Sequence, residues 1–264
     1  MQTTDTIKIK LPFGKKAFFA SDNHLGLPTQ ALSRPRERTF VDWLNHIEKE
    51  AAVIFLLGDL FDFWFEYKTV VPKGFVRVLG KLAELTDSGI PIHFFTGNHD
   101  LWMRNYFEEE LGITVHHQPV DFTIENNTFL VGHGDGLGPG DKGYKRMKKV
   151  FRNGFMQWGF RWLHPDIGMR LGHYLSVKNK MISGREDAIF LGNEKEWLVQ
   201  YSQRKRSQKH RDYFVFGHRH LPLEIPLADN SKYFNTGDWI HHYTYGVFDG
   251  KTFNLKKWEV PQHD

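Results

Sequence analysis

Five short polar motifs, at least four of them at the end of a short apolar run, constrain this chain more than anything else in it. They are Ser21-Asp22-Asn23-His24, Gly58-Asp59-Leu60-Phe61-Asp62, Gly97-Asn98-His99-Asp100, Gly132-His133-Gly134-Asp135 and Gly217-His218-Arg219-His220. The runs at 17–20, 53–57, 129–131 and 214–216 are apolar throughout. Runs of that length bounded by glycine read as buried strands. Side chains at the carboxyl ends of neighbouring strands converge in one crevice, where open α/β sheets place their chemistry.

Between the motifs the elements alternate. Residues 16–22 read as a strand, 33–50 as a helix with Phe40, Trp43, Leu44 and Ile47 on one face, and 53–57 as a strand. A helical pattern at 73–86 and a strand at 92–96 complete a β-α-β alternation. A short helix near 101–111 precedes a hairpin expected to turn at Asn126-Asn127. Residues 233–236 and a second hairpin at Asp249-Gly250 add antiparallel strands. The expected fold is an α/β sandwich of mixed sheets.

At 264 residues and 40% hydrophobic content the chain can fill a substantial core. The expected organisation is one domain over 1–264 with a helical insertion at about 142–208, since 142–208 carry no strand signal. The chain has no cysteine, which excludes disulfides, thiolate metal sites and cysteine nucleophiles. The start is polar and no apolar run approaches the roughly 18 residues of a spanning helix, so a cytoplasmic protein is expected.

The formal charge of +4 is unevenly spread: residues 142–185 hold eleven Lys or Arg against one acid, Asp166. A block of that sign favours phosphate, nucleic acid or anionic lipid, a solvated helix face being the plainer reading. Within it Met147, Phe151, Phe155, Trp158 and Trp162 recur at helical spacing, interrupted by Gly154 and Gly159.

Asp22 and His24, two residues apart at a strand end, point the same way and can grip one ion. His220 completes that ion's protein ligands; Asn98, His133 and His218 hold a second, with Asp59 bridging. Oxygen and nitrogen donors without thiolate suit Mn²⁺ first, with Fe²⁺ or Zn²⁺ as alternatives. Two divalent ions roughly 3.5–4 Å apart are suited to hydrolysing phosphate esters or anhydrides. His99, beside the ligand Asn98, reads as a general acid or phosphate clamp, and Asp100 as the carboxylate that orients it. Each motif alone is a common turn; the set of five in this order is specific. His93, His116, His117, His241 and His242 lie outside the set and read as structural.

The order of these motifs, spanning residues 22 to 220, resembles the calcineurin-like metallophosphoesterase superfamily. The resemblance implies an αββα sandwich, a binuclear site bridged by Asp59, and His99 as the histidine that contacts the phosphate. Within it, residues 56–62, His133-Gly134-Asp135 with a further acid at Asp141, and the helical insertion resemble the family of UDP-2,3-diacylglucosamine hydrolases of lipid A synthesis. That likeness implies a lipid-linked nucleotide-sugar substrate cut at its α-phosphate, with Asn98, His99, Asp141 and His218 binding it. It implies a cap that holds acyl chains, with Ser176, Asn179, Lys180 and Ser183 available for polar contacts. Peripheral contact with the inner face of the membrane is expected, and nucleic acid is not. That family carries Arg after the ligand Asn, whereas His99 here follows the wider superfamily. The alternatives are another phosphohydrolase, such as a nuclease with an open basic groove and stacking aromatics, and a non-catalytic scaffold.

Overall fold

The structure, a computed structural model, describes residues 6–139, 142–183, 190 and 192–260. Its strands are β1 (Ile7–Ile9), β2 (Lys16–Ala20), β3 (Ala51–Leu56), β4 (Ile92–Phe95), β5 (Thr114–His116), β6 (Val120–Ile124), β7 (Asn127–Gly132), β8 (Tyr213–Phe216), β9 (Pro222–Pro226), β10 (Lys232–Thr236), β11 (Thr244–Phe248) and β12 (Phe253–Lys257). Its helices are α1 (Gln30–Ile47), α2 (Val76–Asp87), α3 (Tyr106–Leu111), α4 (Lys142–Phe151), α5 (Gly154–Phe160), α6 (Pro165–Ser183) and α7 (Trp197–Gln208).

The strands form two six-stranded mixed sheets, ordered β1-β6-β7-β8-β10-β9 and β12-β11-β2-β3-β4-β5. The pleat explains why the runs are continuously apolar: both faces of each sheet are covered. Val53, Phe55 and Leu57 of the β3 segment point inward with Phe19 and Phe95, meeting Phe122, Phe129, Val131 and Val215 of the other sheet. Phe19 stacks on Phe55 at 4.5 Å and reaches Phe129 across the interface at 6.2 Å. The alternate residues Ile54 and Leu56 point outward onto Phe40, Trp43 and Leu44 of α1 and Val78, Leu82 and Leu85 of α2. Leu198 and Val199 of α7 cover the far side, against Phe214, Phe216 and Tyr233. The layers are therefore αββα. Although α7 lies in the strand-free stretch, it packs on the sandwich; the helices left over are α4, α5 and α6.

Two local expectations shift. The hairpin turns at Glu125-Asn126 rather than Asn126-Asn127, because Ile124 pairs with Asn127. That register buries Phe122, Ile124, Phe129 and Val131 together, which a slip of one residue would undo. The short helix begins at Tyr106, since Glu66 accepts the backbone N–H groups of Asn105 and Tyr106 at 3.0 and 3.2 Å and caps it there.

His93 and His116, read as structural, face each other across the adjacent strands β4 and β5, Nδ1 to Nε2 at 3.0 Å, against Phe55 and Phe122. Burial pushes both rings down to about 4 from the ordinary 6.5. The unfolded chain takes up these protons below pH 6.5 and the native one resists until about 4. Stability contributed by the neutral pair is thus present above that window and falls as pH drops through it. Urea midpoints recorded across this range should fall more steeply in the wild type than in His93→Gln; parallel slopes would refute a buried neutral pair.

Candidate metal centre

The parallel pairings β2 with β3, β3 with β4, and β7 with β8 bring the five motif-bearing strand ends to one edge of the stacked sheets. The backbone there is strained. Asp22, His24, Asp59, His218 and His220 all adopt φ between 44° and 70°, a region few non-glycine residues enter. Interlocking hydrogen bonds hold it: Asp22 N–H donates to Gly58 O at 3.0 Å, His24 N–H to Asp59 O at 2.9 Å and Gly217 N–H to His133 O at 2.9 Å. Such strain persists where surrounding structure over-determines it, characteristically at functional sites. Gly97 is required by proximity: a Cβ there would stand 2.1 Å from Asp59 Oδ1.

The eight motif residues Asp22, His24, Asp59, Asn98, His99, His133, His218 and His220 come together. Among the described residues, ligand atoms of Asp22, His24 and His220 lie within 4.8 Å of one another, as do those of Asp59, His133 and His218. A third such group is His24, Asp59 and His99. Within the first, His24 Nε2 faces His220 Nε2 at 3.2 Å; within the second, His218 Nδ1 faces His133 Nε2 at 3.2 Å, and Asn98 Oδ1 lies 3.2 Å from the same nitrogen. Asp59 stands between, its Oδ2 3.7 Å from His24 Nε2 and 3.4 Å from His133 Nε2.

This donor set fits divalent cations. Asp22 is fully buried, yet its Oδ1 accepts no hydrogen bond among the described residues, an arrangement costly unless a cation takes the lone pairs. Burial, followed by the charge on His133, pushes His218 down to about 3, leaving a neutral imidazole. Burial opposes charge on His133 too, but the Asp59 carboxylate beside it prevails and raises it to about 10. The carboxylates thus create a field that favours positive charge where a cation would sit.

The outer nitrogens of the ligands are fixed in turn. His133 Nδ1–H donates to Leu57 O at 2.7 Å, turning Nε2 toward Asp59. Asp238 Oδ2 lies 3.3 Å from His220 Nδ1, while its other oxygen accepts the backbone N–H groups of Ile240, His241 and His242. Asp62 Oδ1 lies 3.5 Å from His24 Nδ1. Sequence reasoning gave roles to neither Asp62 nor Asp238. The signal for Asp62 was its place in the Gly-Asp-x-x-Asp motif, and for Asp238 its place just past the mostly buried strand β10.

Asp100 does not orient His99. Its oxygens accept the backbone N–H groups of Gly97 at 2.6 Å and Leu60 at 3.0 Å, which pins the Asn98 turn to the Asp59 turn. Burial and the neighbouring Asp59 raise Asp100 to about 7. His99 is oriented by Asp62 instead, whose main-chain oxygen accepts from Nδ1 at 2.8 Å. Asp135, two residues past His133, pairs at 2.5 Å with Lys148 of α4.

The aromatic stripe divides. Asn153 caps α5, accepting from Phe155 N and Met156 N, so α4 and α5 are separate helices. Phe151 and Phe160 pack on Trp102 at 5.4 and 4.8 Å, whereas Phe155, Trp158 and Trp162 are 76%, 55% and 77% exposed. A cap that holds acyl chains would bury this stripe, but the last three residues do not line the cavity beside the donor cluster. Asp141 and the side chains of Met147, Asn179, Lys180 and Ser183 lie outside the described residues.

Two stacked mixed sheets flanked by helices, with buried carboxylate, imidazole and amide donors at their shared edge, define a metal-dependent hydrolase of the αββα class. The chain belongs to the calcineurin-like phosphoesterase family, whose sequence profile matches residues 16–222. It is 39% identical over 259 residues to the UDP-2,3-diacylglucosamine hydrolase of Porphyromonas gingivalis, covering 92% of this chain and 98% of that protein. The protein of the same name from Photorhabdus laumondii is 24% identical over 240 residues, covering 90% and 96%. Among solved structures it aligns with Yfce, a phosphoesterase from E. coli, at 17% identity and TM-score 0.46 over 92% of each chain. Among the described residues, no helix is long and apolar enough to cross a membrane.

Proposed function

We propose that this hydrolase cleaves the pyrophosphate of UDP-2,3-diacylglucosamine to UMP and 2,3-diacylglucosamine 1-phosphate. The observation that carries the reading is a cavity of about 250 Å³ with two unlike ends. Asn98, His99 and Asp62 form the end at the donor cluster, while Trp102, Phe160 and Leu171 form the other. A substrate matching it joins phosphate to apolar chains, each buried methylene contributing about 0.8 kcal/mol. The names of the relatives support the same substrate. The lining by Trp102, Phe151, Met156, Phe160 and Leu171 suits acyl chains, whereas a nuclease needs a basic groove with aromatics that stack bases.

In this reading one domain spans 1–264, and α4 to α6 are its cap. Asp22, His24 and His220 would hold one divalent ion and Asn98, His133 and His218 a second, with Asp59 shared by both sets; Mn²⁺ is our first assignment. When bound, such ions polarise the phosphoryl oxygens and lower the pKa of the attacking water. Asn98, His99, His218 and Asp141 contact the substrate. As the oxygen of the attacking water bonds to the α-phosphorus and gives up its proton to solvent, the bond from that phosphorus to the bridging oxygen breaks, His99 Nε2–H passes its proton to the leaving phosphate oxygen, and Nδ1–H stays hydrogen-bonded to Asp62 O. Turnover of UDP-2,3-diacylglucosamine should exceed that of UDP-N-acetylglucosamine, ATP and single-stranded DNA; equal rates, or cleavage of DNA alone, would overturn the proposal.

Exposed Phe155, Trp158 and Trp162 stand beside the basic residues of the cap. We assign peripheral membrane contact to this surface, since aromatic rings settle at the interface and each nearby Lys or Arg adds about 1 kcal/mol on an anionic leaflet. Cavity and surface should separate by mutation. Phe160→Ala should shift chain-length preference, whereas Phe155→Ser with Trp158→Ser should weaken sedimentation with phosphatidylglycerol vesicles and leave chain-length preference alone. Unaltered vesicle binding would refute the surface assignment.

A further inference from the structure

Helix α6 meets the 59–67 loop along Gly168, Gly172 and Ser176, three residues spaced one turn apart on the same face. A Cβ on Gly168 would stand 2.0 Å from Tyr67 Oη, and one on Gly172 2.2 Å from Phe63 Cζ, so the helix backbone rests directly on those two side chains. In the next turn Ser176, 8% exposed, donates from Oγ to Asp62 Oδ2 at 2.8 Å and lies 3.0 Å from His99 Nδ1. His173 Nδ1 lies 3.8 Å from the same carboxylate oxygen.

The hydrogen-bond directions are determined by the partners. Asp62 O can only accept, and the Ser176 hydroxyl hydrogen is committed to Asp62 Oδ2. Both atoms beside His99 Nδ1 therefore present lone pairs to it, so Nδ1 carries the hydrogen and the ring is held with Nε2 toward the donor cluster. The backbone N–H of His99 is meanwhile anchored on Asp59 Oδ1 at 2.9 Å. His99 is thus oriented by two bonds to the 59–67 loop, at Asp59 and Asp62, and by one contact from the cap.

We infer that Ser176 is a positioning residue: through Asp62 and His99 Nδ1, helix α6 sets the orientation of His99, which is aligned for proton transfer when α6 is seated on the 59–67 loop. The inference rests on His99 as proton donor, not on the identity of the lipid substrate. A role in proton transfer differs from a role in packing or in holding substrate because it depends on the leaving group. A p-nitrophenolate leaves without a proton, whereas an alkoxide requires one.

The test uses the full-length manganese-loaded enzyme and two small phosphodiesters that lack sugar and acyl chains: bis(p-nitrophenyl) phosphate, which loses p-nitrophenolate, and methyl ethyl phosphate, which loses an alkoxide. Ser176→Ala should lower kcat about tenfold or more on the alkyl ester, in the range of losses when an orienting partner is removed, with KM and the p-nitrophenyl rate nearly unchanged. Ser176→Thr, which keeps the hydroxyl, should restore the rate. Gly172→Ala, which lifts α6 off Phe63, should reproduce the leaving-group dependence with Ser176 intact. An equal fall on both esters, or a change confined to KM, would overturn the inference. A Ser176→Ala defect seen only with acylated UDP-glucosamine would also overturn it. Should wild-type enzyme turn over both esters but not UDP-2,3-diacylglucosamine, the substrate assignment fails while this inference is still decided by the esters.

Discussion

Asp59→Asn should empty both cation positions and abolish turnover together. The Asp59 carboxylate lies 3.7 Å from His24 Nε2 of the first donor set and 3.4 Å from His133 Nε2 of the second. Its other oxygen accepts the His99 backbone N–H at 2.9 Å. Burial alone would raise its pKa, but His133, followed by His99, holds it well below the ordinary carboxylate range. An amide of the same shape removes that charge and replaces one lone-pair oxygen with a donor. Loss of an outer-sphere partner at a metal site typically costs about 10–100-fold in affinity or activity; loss of a group shared by both sets should exceed that. Metal content by mass spectrometry and turnover, measured on one preparation, check the result. Two ions retained at full activity would remove Asp59 from the bridging position.

The residues readable from the sequence were those whose chemistry requires a particular donor at a strand end. Asp22, His24, Asp59, His133 and His218 belong to this kind, because each follows an apolar run whose own pattern places it. The layers were readable for a related reason: Val53, Phe55 and Leu57 can only alternate with Ile54 and Leu56 when both faces of a sheet are covered. What could not be read were relations decided by tertiary geometry. Asp62 and Asp238 act on the far nitrogens of histidines 38 and 18 positions away, and nothing local announces the pairing. Asp100 was assigned to its sequence neighbour His99, but its turn aims both oxygens at backbone N–H groups. The positive φ angles of Asp22, His24, Asp59, His218 and His220 carry no signal in the side-chain types, since glycine, the usual marker, is absent at those positions. The aromatic stripe misled for a similar reason. Its spacing is helical, but α4 ends at Phe151 and Asn153 starts α5, so Phe155 and Trp158 do not continue the face of α4 that carries Phe151.

His99→Ala should lower kcat by about 10²–10⁴-fold on esters with an alkoxide leaving group, the usual worth of a general acid, while leaving bound metal unchanged. The prediction is exposed to refutation because a ligand atom of His99 also falls within 4.8 Å of ligand atoms of His24 and Asp59. If the ring coordinates, its loss will release an ion. The geometry argues for proton transfer: Nδ1 is taken by Asp62 O at 2.8 Å, the ring meets His24 edge-on at 4.7 Å and 87°, and each half of the donor set already has three residues without it. His99 also lines the cavity beside Asn98, where a departing oxygen would lie within its reach. Truncation should therefore depress turnover most where the departing oxygen is a poor leaving group and least for p-nitrophenyl esters. Loss of one equivalent of metal in His99→Ala, with an equal fall on all esters, would make His99 a ligand and move the proton donor elsewhere.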